Sequence, residues 1–284
     1  MTQTQGRTSG GAVIAITSGK GGVGKTSVVI NLAAALARRG YRVGIVDADF
    51  GLGNVDVMLG LAPVYHLGHY LSGNQRLEDI IVEGPLGIRI LPASSGFREL
   101  TALTAPQWRQ VASAIRRLSA DLDYLFIDTA AGISDNVVEL LRLADRTIVV
   151  TSFDPAAIVD AYAVIKILAT VCPARDVGVI VSAARDSDEA GLVFRQLDLA
   201  SKRFLQRSIR HVGSVVYDAA IRESLLVQRP IVDHQPQAPA SRCFRILASR
   251  LTGTTHKGPG GGITLAVGHR PDHEPVAEEA TQCA

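Results

Sequence analysis

Gly19-Lys20-Gly21-Gly22-Val23-Gly24-Lys25-Thr26 decides the fold of this chain. The apolar run Ala12–Thr17 precedes it. The Ala/Leu-rich run Thr26–Arg39 follows it and is ended by Gly40. G-x-x-x-x-G-K-T between a strand and a helix is the local form of a phosphate-binding loop. Its glycines let backbone N–H groups approach phosphate oxygens, and the helix adds the positive end of its dipole. Gly19, Gly21, Gly22, Val23 and Gly24 are the expected cradle. Lys25 is expected at the β- and γ-phosphates and Thr26 on Mg²⁺, with Ser27 next along the same turn. The alternative is a glycine-rich turn that binds nothing. The complete motif in its strand-to-helix setting argues against that. Lys20 is a lysine that an ordinary phosphate loop does not need.

Outward from the loop, short apolar runs recur at Arg42–Val46, Ile88–Leu91, Tyr124–Ile127, Thr147–Thr151, Val177–Val181 and Val212–Val216. Most are continuous rather than alternating, as in strands buried on both faces of a parallel sheet. Helical spacing fills Pro106–Leu118. Asp154-Pro155 is a start signal for Ala156–Val171, with Asp as N-cap and Pro in the first turn. The expected fold class is α/β, a doubly wound, mostly parallel sheet with ligands at the carboxyl ends of the strands. Two acidic segments end strands at that edge: Val46-Asp47-Ala48-Asp49-Phe50-Gly51 and Leu125-Phe126-Ile127-Asp128-Thr129-Ala130-Ala131-Gly132. Alone, an Asp at a strand end is usually a cap or a turn residue. Asp128, at the tip of an apolar strand, is placed to hold Mg²⁺ through water. Gly132 would let its loop move near the γ-phosphate.

The chain has 284 residues, 47% of them hydrophobic, enough for one large domain. Residues 12–251 are expected to form it. Residues 1–11 and 252–284 are too polar and glycine-rich to offset their ordering entropy, so a flexible start and a disordered tail are expected. The net charge of +2 argues for neither nucleic acid nor membrane. Cys172, Cys243 and Cys283 have no metal-ligand spacing and suggest no disulfide framework, in keeping with a cytoplasmic location. No secretory signal and no membrane-spanning run is visible.

Lys20 through Thr26 resembles the signature of the MinD/ParA superfamily of deviant-Walker P-loop ATPases. The resemblance covers about residues 12–251. It implies Mg-dependent ATP hydrolysis and an ATP-dependent homodimer in which Lys20 reaches the partner's phosphates. A cation supplied in trans couples charge stabilisation to dimerisation. By the same resemblance Asp47 is mainly structural beside the Mg²⁺ shell, and Asp49 positions the attacking water. Asp47–Asp56, Leu91–Gly96, Asp128–Ile133 and Asp160–Lys166 look most like the FlhG/FleN flagellar-number regulators. That subgroup implies regulation of flagellar number or placement. Expected partners are flagellar regulators or basal-body proteins, among them an FlhF-like GTPase or a transcriptional activator. The chain departs from the pattern in three places. Ser182 stands where members carry an adenine-reading asparagine, and Val216 stands where they carry proline. Met1–Gly11 lacks the Asp-Gln-Ala segment by which some flagellar members stimulate the FlhF-type GTPase.

Two charged stretches bear on other partners. Ser241–Leu251 is a basic amphipathic helix that would either lie on the inner face of the plasma membrane or pack in the core. Its helical apolar spacing favours the core. Arg195, Lys202, Arg203, Arg207 and Arg210 lie on an expected Leu192–Ile209 helix. They form either a solvated face or a contact for DNA or anionic lipid. A partition-type or cell-division positioning ATPase acting on DNA or membrane is the second functional reading. Iron–sulfur relatives would need clustered cysteines. A related tyrosine kinase would need tyrosines in the tail, and residues 252–284 have none.

Overall fold

The computed structural model describes residues 10–93 and 103–253. Readings on residues 1–9, on Ser94-Ser95-Gly96 and on the tail from residue 254 lie outside the described residues. The strands are β1 (Ala12–Ser18), β2 (Val43–Ala48), β3 (Val82–Glu83), β4 (Arg89–Leu91), β5 (Tyr124–Ala131), β6 (Arg146–Thr151), β7 (Val177–Ala184) and β8 (Arg210–Val216). They form one eight-stranded sheet in the order β3-β4-β2-β5-β1-β6-β7-β8. Every pairing is parallel except the short β3·β4 hairpin. The expected doubly wound, mostly parallel α/β fold is what the chain adopts. The phosphate loop springs from β1, at the centre of the sheet, where the carboxyl ends of parallel strands open a crevice.

The helices are α1 (Lys25–Ala37), α2 (Val55–Met58), α3 (Leu67–Leu71), α4 (Leu77–Ile80), α5 (Ala105–Ala120), α6 (Asp135–Leu143), α7 (Pro155–Val171), α8 (Ser187–Leu205), α9 (Ala219–Leu226), α10 (Ile231–His234) and α11 (Pro239–Leu251). Side chains of one strand alternate between faces, and both faces are apolar. Val13, Ala15, Leu125 and Ile127 join the core beneath α5, α6, α7 and α8. Ile14, Ile16, Tyr124 and Phe126 join the core beneath α1, α10 and α11. This two-sided burial explains why the strands read as unbroken apolar runs.

Local chemistry sets the helix ends. Asp154 caps α7, its Oδ1 accepting the Ala156 N–H at 2.8 Å. α1 ends at Ala37, two residues before the expected Arg39, and the chain then turns through Gly40 at φ 84°. α8 starts five residues before the expected Leu192, because Asp186 caps it by accepting the Glu189 N–H at 2.8 Å. It stops at Leu205 rather than Ile209, where Gln206 turns left-handed at φ 51°. β3 is too short to show a period and went unread.

α11 resolves the ambiguity of Ser241–Leu251. Phe244, Leu247 and Leu251 are each 1% exposed, packed against β8 and α1. The apolar side of this helix belongs to the core. Among the described residues no helix is long and apolar enough to cross a membrane.

Candidate functional site

The phosphate loop is positioned by close backbone packing. A Cβ on Gly19 would lie 2.2 Å from the backbone carbonyl of Asp160, so only glycine lets the loop pass this near α7. Gly24 enters α1 left-handed at φ 87° with no side-chain cap, leaving the first N–H groups of the helix without a capping side chain. A Cβ on Gly21 or Gly22 would meet nothing within 4 Å, so the cradle faces open space.

Lys25 lies almost buried, and its Nζ donates to Asp128 Oδ1 at 2.6 Å. Asp128 ends the apolar part of β5 and is 1% exposed. Burial pushes its carboxyl up, while the Lys25 ammonium and a hydrogen bond from Thr26 oppose this. Asp47 pairs in register with Asp128 across β2 and β5. Burial, and then the Asp128 charge, push the Asp47 carboxyl up to about 7. Its oxygens accept N–H groups from Val55 at 3.0 Å and Asp49 at 3.3 Å. Asp47 therefore ties the following loop to the sheet. Asp49 is partly exposed on that loop, and its Oδ1 accepts the Leu52 N–H at 3.1 Å. Gly132, at φ 94°, donates its N–H to Ser18 O at 2.8 Å, joining the loop after β5 to the end of β1. The structure thus brings Lys25, Thr26, Asp47, Asp49 and Asp128 to one end of the sheet, as the strand-end reading requires.

Lys20 stands at the rim, partly exposed, with its Nζ 2.5 Å from Asp154 Oδ2. This ion pair is the first cause that holds the Asp154 carboxyl below its usual range. Asp154 was legible in the sequence only as a helix cap; nothing local announced its second bond. Ser182, near the end of β7, is 8% exposed, and its Oγ lies 3.1 Å from where a Gly24 Cβ would be. It therefore touches the loop. The sequence reading missed two neighbours. Tyr217 is 75% exposed beside this edge, with its N–H on Ala184 O at 2.7 Å. Asn31 accepts the Ile231 N–H at 2.8 Å and donates to Ser27 O at 2.9 Å, linking the loop helix to α10. An asparagine in a helix gave no signal of that long-range bond.

The donor set fits a magnesium nucleotide. A glycine cradle and a helix N-terminus face open space. Beside them lie a lysine, a threonine hydroxyl and buried carboxylates, the hard oxygen donors Mg²⁺ prefers. Cys172 ends α7 and Cys243 lies in α11, on opposite sides of the sheet, so these two cysteines share no site.

The ParA family model, described as an iron-transfer P-loop NTPase of the NUBPL kind, matches residues 11–252. The antiactivator FleN of Pseudomonas aeruginosa is 40% identical over 239 residues, 84% of this chain and 85% of that protein. The flagellum site-determining protein YlxH of Helicobacter pylori is 42% identical over 154 residues, 54% of this chain and 52% of that one. Among solved structures, the septum site-determining protein MinD of Pyrococcus horikoshii, complexed with Mg-ADP, superposes with a TM-score of 0.72 at 25% identity. That match covers 84% of this chain and 95% of that one.

Proposed function

Because the chain belongs to the ParA family of P-loop NTPases and is an ATPase, we propose that it is a switch that dimerises on ATP and is reset by hydrolysis. Its output is the regulation of flagellar number or placement through protein partners. The observation that carries the dimer is Lys20. The cradle already has Lys25 for its own phosphates. The Lys20 side chain stands at the rim, partly exposed and paired with Asp154. A cation there serves a phosphate group brought by a second copy.

ATP lays its phosphates on the Gly19–Gly24 backbone, with Ser27 following in the first turn of α1. Lys25 exchanges Asp128 for the β- and γ-phosphate oxygens. Thr26 and Asp128 would hold Mg²⁺, with Asp47 behind them. When bound, Mg²⁺ neutralises charge that develops on the phosphate oxygens. Asp49 orients the attacking water from its partly exposed loop. Lys20 leaves Asp154 and stabilises the charge developing on the partner's nucleotide. Ser182 lies at the edge where the base would rest. Hydrolysis removes the γ-phosphate and with it the reason for the two copies to stay together.

The flagellar output rests on likeness to FleN over most of both chains and to YlxH over about half of each. The partners are a flagellar transcriptional activator, an FlhF-like GTPase or basal-body proteins, met in the cytoplasm. The test has two arms. Sizing of the pure chain should show a dimer with Mg-ATP and a monomer with Mg-ADP. A bacterium that loses this protein should change its flagellar count, and the wild-type chain should restore it. A monomer under both nucleotides removes the switch. An unchanged count removes the flagellar output and leaves the switch standing.

A further inference from the structure

α8 has a buried side and an outer side of unusual composition. Ala190, Val193, Leu197 and Ser201 face the sheet. Outward stand Leu192, 49% exposed, and Leu199, 67% exposed. At 100° per residue, Leu192, Arg195, Leu199 and Arg203 fall within roughly 80° of arc. Phe204 follows at 66% exposure, with the Arg203 guanidinium 5.2 Å from its ring centroid. Residues 199–210 contain Lys202, Arg203, Arg207 and Arg210 and no acidic residue. Arg210 is turned to Asp176 and Arg207 to Cys172 O, so Arg195, Lys202 and Arg203 are the cations left on the outer face. Lys202 also bonds Asp198 at 2.6 Å.

We propose that this outer face of α8 docks on an anionic lipid bilayer. Exposed apolar side chains scattered singly need no explanation. Here Leu192 and Leu199 share one arc with Arg195 and Arg203, and Phe204 adds exposed apolar surface at the end of the helix, roughly 100° round from Arg203. Duplex DNA would use the cations but gain nothing from Leu192 and Leu199. A bilayer takes both: the apolar chains enter the acyl boundary while Arg195, Lys202 and Arg203 stay among anionic headgroups. The surface is distinct from α11, whose apolar side is buried in the core. It also lies away from the nucleotide. Leu199 is roughly 20 Å along the helix from the Asp186 cap, at 1.5 Å per residue. The inference does not depend on the flagellar reading.

Flotation of the full chain with vesicles tests it. Binding is expected to vesicles containing phosphatidylglycerol, to weaken with salt, and to be negligible with phosphatidylcholine alone. The pair Arg195→Gln and Arg203→Gln should weaken binding by roughly fivefold per charge. The pair Leu199→Ser and Phe204→Ser should abolish it, while Leu199→Met with Phe204→Leu should keep it. ATP turnover without vesicles should be unchanged in all three, showing that they fold. Failure of the wild type to float on anionic vesicles overturns the proposal. So does binding that neither pair of weakening substitutions alters. An arginine pair that lowers binding to DNA and not to vesicles assigns the face to nucleic acid and also overturns it.

Discussion

Lys20 on the phosphate loop and Asp154 at the start of α7 are joined by an ion pair that spans 134 positions of sequence. Asp154 does two things at once: Oδ1 caps α7 and Oδ2 holds Lys20. The lysine assigned to the partner's nucleotide is therefore tethered within its own subunit before a partner arrives. Asp154→Asn keeps a good capping residue and removes the charge. The ATP-dependent dimer should then form at lower protein concentration. Both side chains are substantially exposed, so the shift should not exceed about fivefold. Equilibrium sedimentation with a non-hydrolysable ATP analogue measures it, and an unchanged or weakened dimer contradicts the tether.

Removing Asp49 and removing Lys20 should have opposite effects on assembly. Asp49→Ala leaves the cradle, Lys25 and Lys20 in place, so ATP binds without turnover and an ATP-loaded dimer accumulates. Lys20→Ala loses both the cross-dimer contact and the transition-state charge. It should stay monomeric and hydrolyse poorly. Size-exclusion chromatography with Mg-ATP, beside phosphate release, separates the two. Normal hydrolysis by Asp49→Ala would reassign the water-orienting role.

Lys25→Ala should abolish nucleotide binding and also weaken the empty protein. Asp128 is 1% exposed and would lose the cation 2.6 Å away. Breaking a buried pair on one side costs about 3 kcal/mol. Calorimetry with an ATP analogue and urea unfolding without nucleotide read the two effects. Full stability with no binding would show that Asp128 simply takes up a proton.

Ser182→Asn should sharpen the choice of ATP over GTP. A hydroxyl presents fewer fixed donors and acceptors to a base edge than an amide does. One added base-specific bond is worth about tenfold in discrimination. The contact between Ser182 Oγ and the Gly24 position means that the longer side chain must turn away from the loop. Competition binding of the two nucleotides decides. Strong rejection of GTP by the wild type would place base reading elsewhere.

The start of α3 should loosen in mild acid. His66 Nδ1 accepts the Gly68 N–H at 3.1 Å, and His69 Nδ1 accepts the His66 N–H at 3.3 Å. Both bonds need unprotonated nitrogens. Burial, and then His69, hold the His66 pKa below 6.5. A depressed folded value means the unfolded chain binds the proton more readily. This stability is present above about pH 6.5 and is lost as pH falls through the folded value. Hydrogen exchange at 66–72 should therefore quicken on going from pH 7.5 to 5.5, after correction for intrinsic rates. His66→Asn keeps a capping side chain and should reduce the pH dependence, leaving the part that His69 carries.

The phosphate loop, the carboxylates at the strand ends and the sheet could be read from sequence because each has a short-range cause. Gly19 to Thr26 needs its glycines consecutively, and strands buried on both faces leave apolar runs at Ala12–Thr17 and Tyr124–Ile127. Asp128 was legible because it directly follows such a run, and Asp49 because it closes the acidic segment after Arg42–Val46. Other features depend on residues far apart in the chain that only folding brings together. The Lys20–Asp154 pair, the Asn31 link to Ile231 and the pressing of Gly19 against Asp160 leave no periodicity and no local motif. Ser241–Leu251 shows the boundary most directly. Its amphipathic pattern states that one side must leave water, and the sequence carries no term that distinguishes a lipid surface from a protein interior. Packing against β8 and α1 supplied that term and put Phe244 and Leu247 in the core. Packing of α8 on the other face of the sheet left Leu192 and Leu199 outside, because such a helix can bury only one side.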